Sequence, residues 1–445
     1  MTPFPAIETN ISQTIKGVES SYAAQGKERM KNYQTDVLII GAGPAGATAA
    51  ALVNKAGLES VIVEKEPFPR FVIGESLLPR CMDLLDEAGM LEAVKSQDFM
   101  VKDGAVFKRG AESCTFKFSQ QFTHGWSYTY QVPREDFDQV LASCAESQGI
   151  PILWRHAVES VAFDEEGHST TLLRDAEGAE VCVSARFILD GSGYGRVLPR
   201  LLGLDEKSSL PLRESYFTHV TGDQRPQGEA EGRIWICSLD DPENAWMWII
   251  PFSNGKTSIG VVAKPDFLAR YPQDPDQKLR AILNDNPNTR ARLGAADFCF
   301  PVRRISGYSI SVKRLFGKGY ALMGNATEFL DPVFSSGVTL ALESANRAAK
   351  TAIRELTGEA PDWQREYVDH LMMGVNTFRT FVTAWYDGRL PTIFYSPLKP
   401  ENFQNQICSV LAGYVWDQDN PCVRQHERVV DLIADSCRML IESEG

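Results

Sequence analysis

The spacing of apolar positions along this chain changes abruptly at Thr35. Before it, residues 1–34 carry no strong periodicity and read as a peripheral extension, with Met30 as an internal alternative start. After it, Asp36-Val37-Leu38-Ile39-Ile40 is a short apolar run of strand length, and the alanine-rich stretch beyond Pro44 predicts a helix to about residue 56. Gly57 closes that helix, and Ser60-Val61-Ile62-Val63-Glu64-Lys65 predicts a second strand, so the segment is a β-α-β unit. Downstream, β-branched segments alternate near 105–118, 157–163, 232–239, 246–251 and 257–262, which predicts a mainly antiparallel sheet inserted between pieces of the α/β part. The tail from about residue 360 to 445 has a helical pattern interrupted by Pro391, Pro397 and Pro400. No internal repeat or low-complexity tract breaks this organisation.

Within the predicted sheet, Trp246-Met247-Trp248-Ile249-Ile250-Pro251 stands out. Side chains alternate along a strand, so Trp246, Trp248 and Ile250 share a face and Pro251 ends the ladder. Two indoles on one face would wall off one side of a compartment, and the plainer reading is a buried core strand.

At 445 residues, 43% hydrophobic and 23% charged, the chain has room for a large core and about two structural units. No apolar run is long enough to span a bilayer, and the first thirty residues lack the basic-then-apolar order of a signal peptide, which points to the cytoplasm. The nine scattered cysteines form no C-x-x-C pair, as expected of reduced thiols. A net charge of -13 argues against general nucleic-acid binding, and the six histidines show no metal-ligand spacing.

Candidate chemistry starts at the β-α-β turn. Gly41-Ala42-Gly43-Pro44-Ala45-Gly46 follows a strand, opens a helix and precedes the acidic Glu64 at the end of the next strand, which is the context a dinucleotide fingerprint requires. Gly41 permits the tight turn, Gly43 lets backbone approach a pyrophosphate, Gly46 allows close helix–sheet packing, and free N–H groups at the helix start face the anion. Glu64 would accept hydrogen bonds from the ribose hydroxyls. The fingerprint alone does not separate FAD from NAD. Two later stretches, residues 185–193 ending in Asp190-Gly191-Ser192-Gly193 and Tyr320-Ala321-Leu322-Met323-Gly324-Asn325-Ala326, resemble the second and third nucleotide-contacting stretches of FAD monooxygenase-like proteins and favour FAD. Residues 131–138 resemble that class's helix start, with Arg134 placed to reach the flavin; the plainer reading is an ordinary capped helix. The third stretch usually ends in Gly-Asp, and here Asn325 replaces the carboxylate by an uncharged acceptor, so binding should survive in weaker form.

Four separated stretches give a closer resemblance, to the flavin-dependent halogenases of the branch acting on phenols and pyrroles. They are residues 68–79, containing Gly74-Glu75-Ser76-Leu77-Leu78-Pro79; Lys102-Asp103-Gly104-Ala105, which matches the stretch with the family's catalytic lysine; residues 246–251, which match its WxWxIP; and Phe329-Leu330-Asp331-Pro332-Val333-Phe334-Ser335-Ser336-Gly337, which matches its FxxPxxSxG. The resemblance covers roughly residues 35–342. It implies an α/β fold with an FAD-binding Rossmann-like, p-hydroxybenzoate hydroxylase-like domain (35–110, 130–220 and 300–358), an inserted mainly antiparallel β-sheet substrate domain (111–129 and 221–299) and a C-terminal helical region (359–445).

The resemblance also implies roles. Reduced FAD, delivered by a separate flavin reductase because the chain shows one dinucleotide fingerprint only, would turn oxygen and chloride or bromide into hypohalous acid. Gly41, Gly43, Ala45, Gly46, Glu64, Lys65, Ser76, Arg134, Asp190, Gly191, Asn325, Pro332, Gly337 and Val338 would hold the cofactor. Ser336 and Gly337, at a turn followed by a helix, would hold halide, a positive helix end suiting an anion. Trp246 and Trp248 would keep the organic substrate from the flavin. Lys102 would receive the hypohalous acid, either as an ammonium that orients it or as a neutral amine that forms a haloamine, the second route being helped by burial. On sequence alone a lysine beside Asp103 is more often a solvated surface residue.

The substrate would be an electron-rich aromatic, free or tethered to a carrier protein. Tail aromatics Phe378, Phe381, Trp385, Tyr386, Phe394 and Tyr395 line its pocket or form a core stripe. Arg303, Arg304, Lys313, Arg314 and Lys318 dock an acidic carrier or form a solvated hairpin face. A flavin hydroxylase or geranylgeranyl reductase-like enzyme, and a non-catalytic flavoprotein partner in a biosynthetic assembly, are the alternatives on the same frame.

Overall fold

The computed structural model describes residues 31–239, 241, 244–396 and 401–444. Most of the extension at 1–34, and Pro397 and Pro400 of the tail, lie outside the described residues.

Two eight-stranded sheets organise the chain. The first runs in the order Phe316–Gly317, Tyr320–Leu322, Glu180–Asp190, Lys31–Ile40, Ser60–Glu64, Ile152–Trp154, and from Tyr320–Leu322 onward every pairing on this path is parallel. Its central strand is wholly buried from Val37 to Ile40, which is why that run is continuously apolar rather than alternating. The strand begins at Lys31, ahead of the apolar run, because Lys31 to Thr35 pair with Val181 to Ala185 at the solvated end of the sheet. In register, Ile40 lies opposite both Asp190 and Val63, so the chain leaves three neighbouring strands at one carboxyl edge. Ligands of open parallel sheets bind at such an edge. The helices Pro44–Lys55 and Ser336–Leu356 pack on each other and share one core with this sheet.

The second sheet runs Asp297–Phe298, Glu214–Thr221, Thr257–Ala263, Trp246–Pro251, Ile234–Ser238, Gly104–Arg109, Glu112–Lys117, with Arg303–Ser306 also on Glu214–Thr221. It is antiparallel except where Ile234–Ser238 joins Gly104–Arg109. Strand Gly104–Arg109 lies in this sheet, as its alternating pattern predicts although the outlined boundary at 110 grouped it with the nucleotide-binding part. Glu214–Thr221, expected with that part, hydrogen-bonds into this sheet instead, because its partners Thr257–Ala263 and Arg303–Ser306 come from farther along the chain. The reverse holds for 157–163: His156–Phe163 pairs with Ser169–Asp175, which pairs with Glu180–Asp190 of the first sheet. Alternation identifies a strand but not its sheet.

Helices His370–Tyr386, Arg389–Tyr395, Glu401–Leu411 and His426–Glu444 form the tail. Pro391 does not interrupt it, since it sits in the first turn of Arg389–Tyr395, where the missing N–H has no helical partner to lose. Among the described residues no helix is long and apolar enough to cross a membrane.

Candidate active site

The carboxyl edge of the first sheet is a cradle made of backbone. Gly41 adopts φ +94°, and a Cβ there would lie 2.7 Å from the Gly191 carbonyl oxygen; a Cβ on Gly46 would lie 1.8 Å from the Gly41 oxygen. Only hydrogen fits at either position. Gly191 donates its N–H to Ile40 O (2.9 Å), and a Cβ there would lie 3.1 Å from the Gly46 nitrogen and 3.4 Å from the Ala45 side chain. Gly324 (φ +56°) faces the same Ala45 side chain, so three stretches far apart in sequence meet around one alanine. Gly43 caps the helix without a side chain, which leaves the amides of its first turn to an anion, and Glu64 is held beside them by Ala42 N–H (2.9 Å) and Glu66 N–H (3.0 Å). A cradle that any Cβ would fill, an uncapped helix start and a buried acid fit a dinucleotide. Arg70 adds a guanidinium 3.8 Å from Glu64 and 3.7 Å from Asp138, a feature not singled out in the sequence.

Other residues expected at the cofactor also make contacts within the chain. Arg134 forks onto Asp138 (2.7 and 3.0 Å) and donates to the carbonyls of Ile73 and Gly74, which pins the segment leading to Ser76. Asp190 is fully buried and accepts from Ser192 N–H (2.9 Å) and Leu198 N–H (2.7 Å); burial raises its pKa. Asn325 offers its carbonyl to Arg196 (3.4 Å). Lys65 is exposed and pairs with Glu66 at 3.3 Å. Pro332 opens a short 3-10 turn, and Val338 is buried in the first turn of the helix that follows.

Lys102 is 1% exposed. Its Nζ donates to Ser76 Oγ and to Leu77 O, both at 2.8 Å, and lies 5.6 Å from the Phe118 ring centroid. Register produces this arrangement: Lys102 pairs with Thr129, Gln131 pairs with both Met100 and Ser76, and residues directly opposite share a face. Ser76, expected at the cofactor, is thereby turned onto the lysine. Asp103 points elsewhere, onto Arg233 (2.7 and 2.6 Å), so the carboxylate beside Lys102 in sequence does not neutralise it in space. Burial without a counter-charge lowers the Lys102 pKa from 10.5 to about 7. Neighbouring Cys81 is buried too, and its Sγ lies 3.2 Å from Thr339 Oγ1, one helical turn beyond Ser336. Cys81 thus links the surroundings of the lysine to the helix that starts at the Ser336 turn.

At that turn, Ser335 takes the left-handed conformation (φ 56°, ψ 25°) and the helix begins at Ser336 with no side-chain cap. A Cβ on Gly337 would lie 3.0 Å from the Phe329 ring, so the glycine leaves that ring its place. Trp246 and Trp248 are buried on one face of their strand, 6.1 Å apart at 52°. Both indole N–H groups are satisfied, Trp246 by Tyr386 OH (3.0 Å) and Trp248 by Ser258 Oγ (3.0 Å). Gly260, opposite Trp248, makes room for it, since a Cβ there would sit 2.3 Å from the indole. The signal was a lone glycine inside a strand.

Asp331, quoted in a motif but given no role, is buried beside these groups. It accepts from Tyr386 OH (2.9 Å), Tyr308 OH (3.2 Å) and Val333 N–H (3.0 Å), and burial pushes its carboxyl up to about 6. Arg213, for which the sequence held no signal, lies 3.3 Å over the Tyr386 ring. The tail aromatics pack as a core stripe: Trp385 and Phe394 are 5.6 and 4.7 Å from Phe107, and Trp385 and Phe381 are 6.2 and 6.3 Å from Phe334. Four of the five basic residues make contacts within the chain, Arg303 over Phe71, Arg304 on Glu214, Lys313 on Gly203 O and Lys318 on Glu165 O.

Comparison with known proteins adds family context. The model for an FAD binding domain matches residues 34–368. A 1H-pyrrole-2-carbonyl-(peptidyl-carrier protein) chlorinase of Pseudomonas fluorescens is 28% identical over 87% of this chain and 91% of its own. A tryptophan 2-halogenase of Chondromyces crocatus is 30% identical over 81% of this chain and 70% of its own. A crystal structure described as a flavoprotein/dehydrogenase from Cytophaga hutchinsonii matches with a TM-score of 0.88 and 47% identity, covering 91% of this chain and 99% of that one.

Proposed function

The chain belongs to the flavin-dependent halogenases, and on that premise we propose that it halogenates an electron-rich aromatic, a phenol or a pyrrole, through hypohalous acid delivered to Lys102. The observation that carries the proposal is a lysine buried with two hydrogen-bond acceptors and no carboxylate. When bound, reduced FAD supplies, with oxygen, the oxidising power that converts chloride or bromide into hypohalous acid. The N–H groups at Ser336 and Gly337 hold the halide at a positive helix end. Trp246 and Trp248 form the partition that keeps the organic substrate from the flavin.

A neutral lysine amine has two N–H donors and one lone pair. In this site Ser76 Oγ and Leu77 O take the donors, which leaves the lone pair for an electrophile. The nitrogen takes the halogen as the O–X bond breaks, and the departing hydroxide takes an N–H proton to leave as water. Attack by the aromatic ring then returns the amine as the ring loses its proton. The name of the Pseudomonas relative supports a pyrrole held on a carrier protein as the substrate class. A separate flavin reductase supplies the reduced cofactor, and the nine free cysteines suit the cytoplasm.

The test is incubation with FAD, a flavin reductase, NADH, oxygen and bromide, with a phenol trap and detection of brominated product by mass. The expected result is brominated phenol with the wild type and loss of bromination of the bound substrate with Lys102→Ala. No bromination by the wild type, or full bromination of the bound substrate by the variant, overturns the reading.

The name of the Cytophaga structure favours a second reading, a flavin oxidoreductase acting without halide. Rapid reduction of bound FAD by NADPH with no reductase present would select it.

A further inference from the structure

We propose that Asp331 is a positioning residue that, through Tyr386, locks the Trp246 indole to the Ser335–Ser336–Gly337 turn, so that partition and halide turn hold one geometry. This rests on the halogenase reading. Four bonds carry it. One Asp331 oxygen accepts from Val333 N–H (3.0 Å) and so caps the short turn that delivers the chain to Ser335. The other accepts from Tyr308 OH (3.2 Å) and Tyr386 OH (2.9 Å). Tyr386 OH has one proton, which goes to Asp331, and its lone pair accepts the Trp246 indole N–H at 3.0 Å. The polarity of the chain is therefore forced, Trp246 to Tyr386 to Asp331.

The surroundings make the link stiff. Asp331 and Trp246 are at most 2% exposed, and Arg213 lies 3.3 Å over the Tyr386 ring, which holds that ring in place independently of its hydroxyl. Tyr386 ends the His370–Tyr386 helix, Trp246 lies on the second sheet, and Asp331 precedes the helix that packs on the first sheet. One carboxylate thus ties together three elements that no backbone pairing joins. A buried hydrogen-bonded network of this kind fixes geometry because each broken bond leaves an unsatisfied group in the core.

The test uses the full-length FAD-loaded enzyme with reductase, NADH, oxygen, bromide and a phenol. It reads bromide KM, brominated product per NADH consumed, and FAD affinity by fluorescence. Asp331→Ala is expected to raise bromide KM about tenfold, because the turn loses its cap. Asp331→Asn, which keeps an acceptor for Val333 N–H, should stay within about threefold of wild type. Tyr386→Phe keeps the ring under Arg213 and should lower product per NADH about threefold with bromide KM unchanged. Adding Tyr386→Phe to Asp331→Ala should cost no further product, since both remove the same link. FAD affinity should be unchanged throughout. Should Asp331→Ala fail to fold, Tyr386→Phe alone decides, and wild-type yield from it overturns the proposal. Unchanged KM in a folded Asp331→Ala, or losses that add in the double variant, overturn it as well. A wild type that brominates while these variants behave normally sinks the inference alone; a wild type that does not brominate sinks the halogenase reading and the inference with it.

Discussion

The nucleotide cradle and the buried polar cluster around Lys102 are built on opposite principles. The cradle at the carboxyl edge of the first sheet is made of backbone and absent side chains: Gly41, Gly46 and Gly191 approach so closely that a Cβ would meet a carbonyl oxygen or an amide. The region around Lys102, Trp246 and Asp331 is made of buried polar side chains, each held by partners tens to hundreds of residues away. A backbone site tolerates no substitution by size, whereas a side-chain site should tolerate isosteres and fail on loss of a functional group.

The largest effect is expected at Gly46. A Cβ 1.8 Å from the Gly41 oxygen forces the strand–helix turn apart, so Gly46→Ala should weaken FAD binding by about two orders of magnitude, measured by flavin fluorescence. Retained FAD affinity would show that this cradle gives way to a side chain.

Lys102→Met keeps the volume and removes the amine. It should lower bromination of the bound substrate on the order of a hundredfold while NADH consumption continues. The wild-type pH profile should carry the same group: with the pKa lowered to about 7, the neutral amine grows as pH rises through 7, so chemistry-limited halogenation should rise there. A rate that falls through 7 would assign the ammonium form instead. The stability sign follows from linkage. The unfolded lysine titrates near 10.5 and the folded one near 7, so between these values the unfolded chain binds more protons and stability from this group rises with pH. Thermal melts of Lys102→Met against wild type should therefore show the variant gaining most at and below pH 7.

Gly260→Val tests the boundary between the two principles, since a glycine there serves a side chain. With a Cβ 2.3 Å from Trp248, the indole must move, and a stability loss of about 1–3 kcal/mol is expected from denaturant melts. The smallest effect belongs to Lys65→Ala: the side chain is exposed and pairs with the exposed Glu66, so FAD affinity should change by less than about threefold.

Legibility in the sequence follows the same division. The β-α-β unit and its glycines are contiguous, and the geometry that makes them work is a property of adjacent residues, so the turn after Ile40 and the acid at Glu64 were readable directly. Sheet membership was readable for 105–118, 232–239, 246–251 and 257–262 but not for 157–163: alternation marked it as a strand, and only its pairing with Ser169–Asp175, itself on Glu180–Asp190, assigned it to the first sheet. The lysine was readable only as part of a resemblance, because the local cue, Asp103 beside it, points to a surface ion pair, and the fold gives that carboxylate to Arg233. Arg213 carried no cue at all, since a cation over a ring is made by two segments that meet only when folded.

By itself, then, the sequence determined the dinucleotide turn, the helix behind it and the strand character of 246–251, because 3.6- and 2-residue periods and glycine's freedom act over a few neighbouring residues. Tertiary structure alone decided that burial pulls the Lys102 pKa down toward 7, that Ser76 Oγ accepts its N–H, and that the Trp246 indole is tied through Tyr386 to Asp331. The physical reason is that desolvation and hydrogen-bond partnership are properties of the space around a group, and that space is filled by residues the local sequence does not contain.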